Sequence, residues 1–448
     1  MLKNKRQEII KYVKDHASFI NINNETLNIY EGNLLPYIDQ IMKASLSPNY
    51  YNSIKDRVLP INILQRFIDK VSATYSKEPS RTSTTAQNQE FVDFYSDALD
   101  IDQSGQIADT YSQMFKGFAW EPYVDKNGRP AIREIPFNSF LVMSDSLVNP
   151  EEETIFIKFM GKKTDDEDSL LLHVYTDTEF DAFYLSGVEA TEYLIENEGI
   201  NHIGVIPFVY GKRQKNRLIP VLDSDMLKIC KAIPVMLSDA SGAQFYQAFS
   251  ILYGVDVNFD NAKIGPNVIW SLKSDKDSDK TPVVGTIKPE ADTDKIVQFV
   301  TTVFTLWLET KGVRVGSVGS MQGGNASSGI AKIIDELDVW EIRKKSQEWF
   351  EKDEQELWNV KLPKIHNYWI KTGMVAAATV PGLMPDRELD IEVEFEAPKP
   401  MQSRAEEVAD IKAEIDLGTM TMEQAIKRLH PKYDDDMIQE TLNGRVIV

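Results

Sequence analysis

The sequence predicts an α+β fold, and three observations carry that prediction. Apolar residues recur at helical spacing through much of the first hundred positions, runs of strand formers separated by turn residues fill about 117–210, and helical periodicity returns after 223. At 448 residues the chain can hold a large buried core spread over two or three substructures.

Helices are expected at 5–15, 34–44 and 62–75, the last because Ile63, Leu64, Phe67, Ile68 and Val71 share one face. Pro79 and the Ser-Thr-Thr run at 83–85 stop that helix, and another is expected at 106–115. The turn chemistry of Asp-Lys-Asn-Gly at 125–128 then joins two strands. Further strands at 154–160, 170–175, 180–185 and 205–210 read as an antiparallel meander.

A helix is expected over 223–249, kinked at Pro234. Its second half is small-sided at Ser238, Ala240, Ser241, Gly242 and Ala243, so another backbone can approach closely there. Short strands (LYGVDVNF, NVIWSL and TPVVGTI) surround the polar run KSDKDSDK between 251 and 290. A helix at 294–309 follows, with Ile296, Val297, Val300, Val303, Phe304 and Trp307 on one stripe.

Next comes a glycine-rich loop, GVRVGSVGSMQGGNASSG from Gly312, mounted on a long helix capped by Ser327 or Ser328. Ile330, Ile333, Ile334 and Leu337 begin its apolar face, Trp340, Trp349, Phe350, Leu357 and Trp358 extend it, and Pro363 is expected to limit it. A strand at 390–396 buries Ile391, Val393 and Phe395; after it the tail reads as helices with capping boxes at Ser403/Glu406 and Thr421/Gln424 and stops at Gly418 and Pro431.

The formal net charge is -20, from 69 acidic and 49 basic side chains, which is the wrong sign for static nucleic-acid binding. A surface that lets a polyanion pass without gripping it fits this balance, as does an acidic soluble protein. The single cysteine, Cys230, excludes an internal disulfide and a CxxC metal site. No window approaches the length of a membrane span, and MLKNKRQEIIKYVK lacks the apolar core of a signal peptide, so neither membrane insertion nor export is expected.

Tests for chemistry fail one by one. Gly324 and Gly329 have P-loop spacing, but Ile330 stands where lysine must be, and a helix, not a strand, precedes the loop. Asp275, Asp277 and Asp279 resemble the start of a calcium loop, yet Lys280 and Thr286 occupy the glycine and glutamate positions. His16, His173, His202, His366 and His430 show no paired spacing. There is no GxSxG elbow, Cys230 sits in a helix as a small hydrophobe, and the acidic clusters at 164–168 and 433–436 lack an apolar context. No enzymatic activity, metal or cofactor is expected.

The order of elements is similar to that of tailed-bacteriophage portal proteins of the siphophage type. NILQRFIDKVSATYSKEPS (62–80) resembles the family's early helix, although Lys77-Glu78-Pro79 departs from its Gly-x-Pro ending. Three further passages are similar: SGQIADTYSQMFKGFAWEPYVDKNGRPAIREIPFNSFLVMSD (104–145), HIGVIPFVYGKRQKNRLIPVLDSDMLKICKAIPVMLSDASGAQF (202–245) and GNASSGIAKIIDELDVWEIRKKSQEWF (324–350).

The resemblance implies a portal fold with a helical stem, an antiparallel-strand wing, a small α/β clip, a long wing helix and a C-terminal helical crown. Its boundaries fall at wing 1–222, first stem helix 223–249, clip 250–292, second stem helix 293–311, tunnel loop 312–328, returning wing 329–402 and crown 403–448. It further implies a ring of about twelve copies at one capsid vertex of the virion, assembled in the host cytoplasm. Double-stranded DNA would pass through the ring, and the terminase large subunit, a head-to-tail adaptor, and major capsid and scaffolding proteins would be partners.

On that reading Arg314, Ser317, Ser320, Gln322 and Asn325 face DNA. Ser238, Ala240, Ser241, Gly242 and Ala243 pack neighbouring stems, and Asp275, Asp277 and Asp279 dock partners at the clip. The competing expectation is another ring-forming virion or tail protein without a channel role.

Overall fold

The computed structural model describes residues 2–194, 199–248, 251–255, 283–287, 293–313, 329–396, 404–430 and 435–442. The chain divides into two compact units, residues 1–324 with 338–396, and residues 325–337 with 397–448.

The first unit opens with helices α1 (Leu2–Asp15), α2 (Ala17–Tyr30), α3 (Leu35–Ser45), α4 (Pro48–Ile54) and α5 (Ile63–Val71). Helix α2 escapes a reading by periodicity because its asparagines and threonine are poor helix formers; burial of Asn23, Thr26 and Ile29 decides it. Helix α5 is capped by the Asn62 side chain, which accepts from the Gln65 N–H, and it ends at Val71, short of the expected 75. Helices α6 (Ala86–Leu99), which the pattern does not announce, and α7 (Ile101–Phe115) meet at Asp100, whose φ of 48° turns the chain.

Two antiparallel sheets follow. Strands β2 (Gly117–Val124) and β3 (Pro130–Pro136) form the expected hairpin, its turn held by Asp125 Oδ1 accepting from the Asn127 and Arg129 N–H groups. Strands β4 (Phe140–Met143), β5 (Ile155–Lys162), β6 (Leu170–Tyr175) and β7 (Phe180–Tyr184) are a meander in the order β4-β5-β6-β7.

The last expected strand does not extend that meander. It forms as β8 (Val209–Lys212) and pairs with β2, giving the order β3-β2-β8. The Asn201 amide, donating to the Thr176 and Val205 carbonyls, redirects the chain, and Phe208 then stacks on Phe156 with ring centroids 4.1 Å apart. Phe156, Phe140 and Phe137 continue this stack through the core at 5.0 and 4.6 Å, in contacts of about 0.5–1.5 kcal/mol each beyond area burial.

Helix α8 (Ser224–Ala248) contains Pro234, and strands β9 (Ile251–Val255) and β10 (Val283–Ile287) pair antiparallel before α9 (Thr293–Thr310). The long helix α10 (Gly329–Glu356) does not stop at Pro363. A π turn, Leu357–Lys361, carries it into α11 (Leu362–Thr372), with Pro363 in the first turn of the new segment. The carbonyl that the proline cannot serve, that of Asn359, accepts instead from the Leu389 N–H at 3.2 Å.

The segment after α11 lies back along it. The Asn359 side chain pairs with both backbone groups of Ile391 (2.9 and 3.0 Å), Asn367 does the same for Met384 (2.8 and 2.9 Å), and β11 (Glu392–Glu394) pairs with β1 (Ser80–Thr82). Ile391, Val393 and Phe395 are buried, as the alternation predicts.

The second unit contains α12 (Arg404–Asp416), α13 (Met422–Leu429) and α14 (Asp435–Leu442), which bury Ile411, Ala425 and Ile438. Gly418 takes a φ of 74° between α12 and α13, and the Thr421/Gln424 capping box is formed. The expected strand at 267–272, the caps at Ser327, Ser328 and Ser403, and Pro431 lie outside the described residues.

Candidate functional site

The predicted functional residues that are described lie on α8, which pairs with α9. Asp223 and Asp225 stand at the start of α8, where the helix dipole favours negative charge, and Lys311 stands just beyond the end of α9, where it favours positive charge. They meet: Lys311 Nζ donates to Asp225 Oδ1 at 3.1 Å, and the Trp307 indole N–H donates to Asp225 Oδ2 at 3.2 Å. Partial burial opposes the Asp225 charge, but Lys311 and Trp307 outweigh it and hold the carboxyl below its usual range. Lys116 reaches Asp223 at 3.3 Å.

These contacts make the two helices antiparallel and fasten their base to the core. The Trp307 ring packs on Phe67 at 4.9 Å, and Met226, Leu227 and Cys230 enter the same core. Burial pushes the Cys230 thiol up to about 12, as suits an inert apolar position. Higher on α8, Lys231 pairs with Glu25 at 2.6 Å.

Of the small residues on α8, Ser238, Ala240 and Gly242 are buried, Ser241 is half-buried and Ala243 lies in the helix. The Ser238 hydroxyl donates to the Pro234 carbonyl at 2.7 Å and accepts from the Leu59 N–H at 3.0 Å, so the close approach at this serine is to its own chain. On α9, Val300, Trp307 and Leu308 face the core, whereas Val297, expected on the buried stripe, is exposed. Phe299 and Leu306, two helical turns apart on one outward face, are 55% and 56% exposed.

Arg314, Ser317, Ser320, Gln322 and Asn325 lie outside the described residues, as do Asp275, Asp277 and Asp279. The helix behind the glycine-rich loop is described, and its anchorage is the centre that sequence reasoning missed. Glu354 of α10 is fully buried and accepts four donors: Arg81 Nε (2.6 Å), Arg81 Nη2 (2.9 Å), the Tyr75 hydroxyl (2.7 Å) and the Trp358 indole N–H (3.0 Å). Arg81 also reaches Asp102 at 2.7 Å. A methyl at Gly105 would collide with the Tyr75 ring, so that glycine admits the tyrosine.

Beside this centre, Asp353 accepts from Arg213 Nη1 at 2.7 Å, and the guanidinium covers the Phe350 ring at 4.3 Å. Burial raises Asp353 to about 6 against the opposing charge of Arg213. Glu153, which lines a cavity of about 420 Å3 with Asp353 and Glu356, is raised to about 8 by burial and then by the Glu356 charge. Only the helical periodicity around Phe350 and Trp358 hinted at this centre; no local signal joins Arg81 to a glutamate 273 positions away.

Among the described residues no group of three or more His, Cys, Asp or Glu is placed to hold a metal ion, and no helix is long and apolar enough to cross a membrane. The described geometry combines a fastened antiparallel helix pair with a strand pair between its two helices in sequence, and a long helix locked into the core by a buried ion pair.

The sequence matches the family described as "Phage portal protein, SPP1 Gp6-like" over residues 10–443, and the chain belongs to that family. The family is structural and its role is in the phage portal, as a component of the virion. No curated protein matches the chain.

Proposed function

We propose that this chain forms a ring of about twelve copies at one capsid vertex, with a central channel through which double-stranded DNA is packaged and ejected. The observation that carries this reading is the family match over nearly the whole chain, together with the antiparallel α8–α9 pair whose outward face keeps Phe299 and Leu306 exposed. In the ring α8 and α9 are the stem, 250–292 the clip, 312–328 the tunnel loop, 403–448 the crown, and 1–222 with 329–402 the wing.

Neighbouring stems pack through Ser241 and Ala243 and the Phe299–Leu306 face, while the buried Ser238, Ala240 and Gly242 pack within the chain. The tunnel loop touches DNA through Arg314 and the weak hydrogen-bonding groups of Ser317, Ser320, Gln322 and Asn325. At the clip, Asp275, Asp277 and Asp279 dock the terminase large subunit and then the head-to-tail adaptor; capsid and scaffolding proteins meet the wing. About twelve copies carry a net charge near -240, which keeps phosphates sliding instead of bound.

Negative-stain imaging with light-scattering mass tests the reading. Rings with a hole of roughly 20 Å or more, enough for duplex DNA, are expected from the wild type, and Phe299→Asp/Leu306→Asp is expected to release monomers with unchanged helix content. A compact dimer without a hole would overturn it.

A further inference from the structure

A ring of copies each carrying -20 must place unlike surfaces against one another, because like-charged faces repel and a head-to-tail contact uses two different patches of the same chain. The first unit presents two features that match. One is a groove of about 490 Å3 between α11 and the turn at 202–204. Lys364, Tyr368 and Lys371 line it from α11, His202, Ile203 and the half-exposed Leu383 add to the lining, and Asp386 is its one acidic member, so the lining is apolar in part and net basic. Among the described residues neither lysine has an ion pair and the Tyr368 hydroxyl has no hydrogen bond.

The other feature is the loop between β4 and β5. Leu147 is 100% exposed and Val148 87% exposed, beyond what an isolated surface side chain requires. They are held out by a braced turn: the Ser144 hydroxyl donates to the Asn149 carbonyl at 3.2 Å, the Asn149 N–H donates to Ser146 Oγ at 3.0 Å, and the Glu152 N–H donates to the Asn149 carbonyl at 3.1 Å. The exposed Glu151 and Glu152 follow at once. An apolar tip with an acidic flank, already ordered before contact, is complementary to a groove whose lining is partly apolar and net basic.

We infer that Leu147 and Val148 of one copy enter the α11 groove of the next copy, with Glu151 and Glu152 against Lys364 and Lys371. This inference rests on the ring reading above. The apolar lining residues and the acidic chain favour a polypeptide occupant over nucleic acid.

The test is disulfide trapping in Leu147→Cys/Leu383→Cys; the native Cys230 is buried and does not compete. Oxidation is expected to give a ladder of multimers on a non-reducing gel, while either single substitution runs as monomer. Rings of wild-type mass without a ladder would overturn the contact and leave the ring reading intact; absence of wild-type rings would overturn the ring reading itself. In parallel, Lys364→Glu/Lys371→Glu is expected to raise the concentration needed for assembly about tenfold or more, and added Glu151→Lys/Glu152→Lys to restore it. Unchanged assembly in the first variant, or wild-type binding of a short DNA duplex that this variant loses, would also overturn the inference.

Discussion

Replacing Glu354 by Gln tests whether the long helix is held by charge or only by shape. All four groups that reach the carboxylate are donors, two of them on Arg81. Glutamine keeps the volume but offers one acceptor oxygen and turns an NH2 toward that donor set. Breaking a buried pair by removing one partner costs about 3–5 kcal/mol, because the remaining charge stays buried. Asp102, still 2.7 Å from Arg81 and only partly buried, offsets part of that, so about 3 kcal/mol is expected.

At about 2 cal/mol/K of unfolding entropy per residue, a unit of this size shifts by roughly 1 °C per kcal/mol, so this lowers the melting temperature by about 3–4 °C, read by calorimetry and by hydrogen exchange in α10 and α11. Arg81→Met/Glu354→Leu, which removes both charges, is expected to recover part of the loss. A glutamine variant melting within about 1 °C of wild type would refute the reasoning, since shape alone would then account for the anchorage.

Three more outcomes are expected. Glu153 and Asp353 have raised folded-state pKa values, about 8 and about 6, so the folded chain holds protons that the unfolded chain has released. Their contribution to stability is present in full below the unfolded carboxyl range, about 4, and is lost as pH rises through about 8. Melting scans from pH 5 to 8.5 should show that fall, and Glu153→Gln should flatten it. Asn359→Ala leaves both backbone groups of Ile391 without the side chain that pairs with them; a loss of about 1–3 kcal/mol and faster exchange of the Ile391 amide are expected, and unchanged exchange would show that water replaces the side chain. Deleting 317–325 should leave rings intact while impairing packaging or retention of DNA, and full packaging by the deletion would remove the loop from that role.

The α+β class, the hairpin turn at 125–128, the Thr421/Gln424 box, the Gly418 turn and the burial of Ile391, Val393 and Phe395 were all legible in the sequence. Each depends on side chains a few positions apart, so local spacing carries the signal. The family's order of motifs was legible for the same reason, as a succession of such local patterns.

Tertiary contacts decided the rest. Helix α2 forms against its own propensities because Ile29 enters the core and Phe19, Ile22 and Leu27 pack against it. β8 joins β2, not β7, because Asn201 redirects the backbone from positions far from β2 in sequence. Helical structure continues past Pro363 because a π turn carries it into the next segment and the Asn359 carbonyl that the proline leaves unserved accepts from Leu389. The Arg81–Glu354 centre, the Asp225–Lys311 clasp and the outward face of α9 likewise exist only once distant segments meet. Sequence spacing encodes what a residue does to its own turn or strand, whereas pairing, charge burial and exposure depend on which remote surface arrives opposite it.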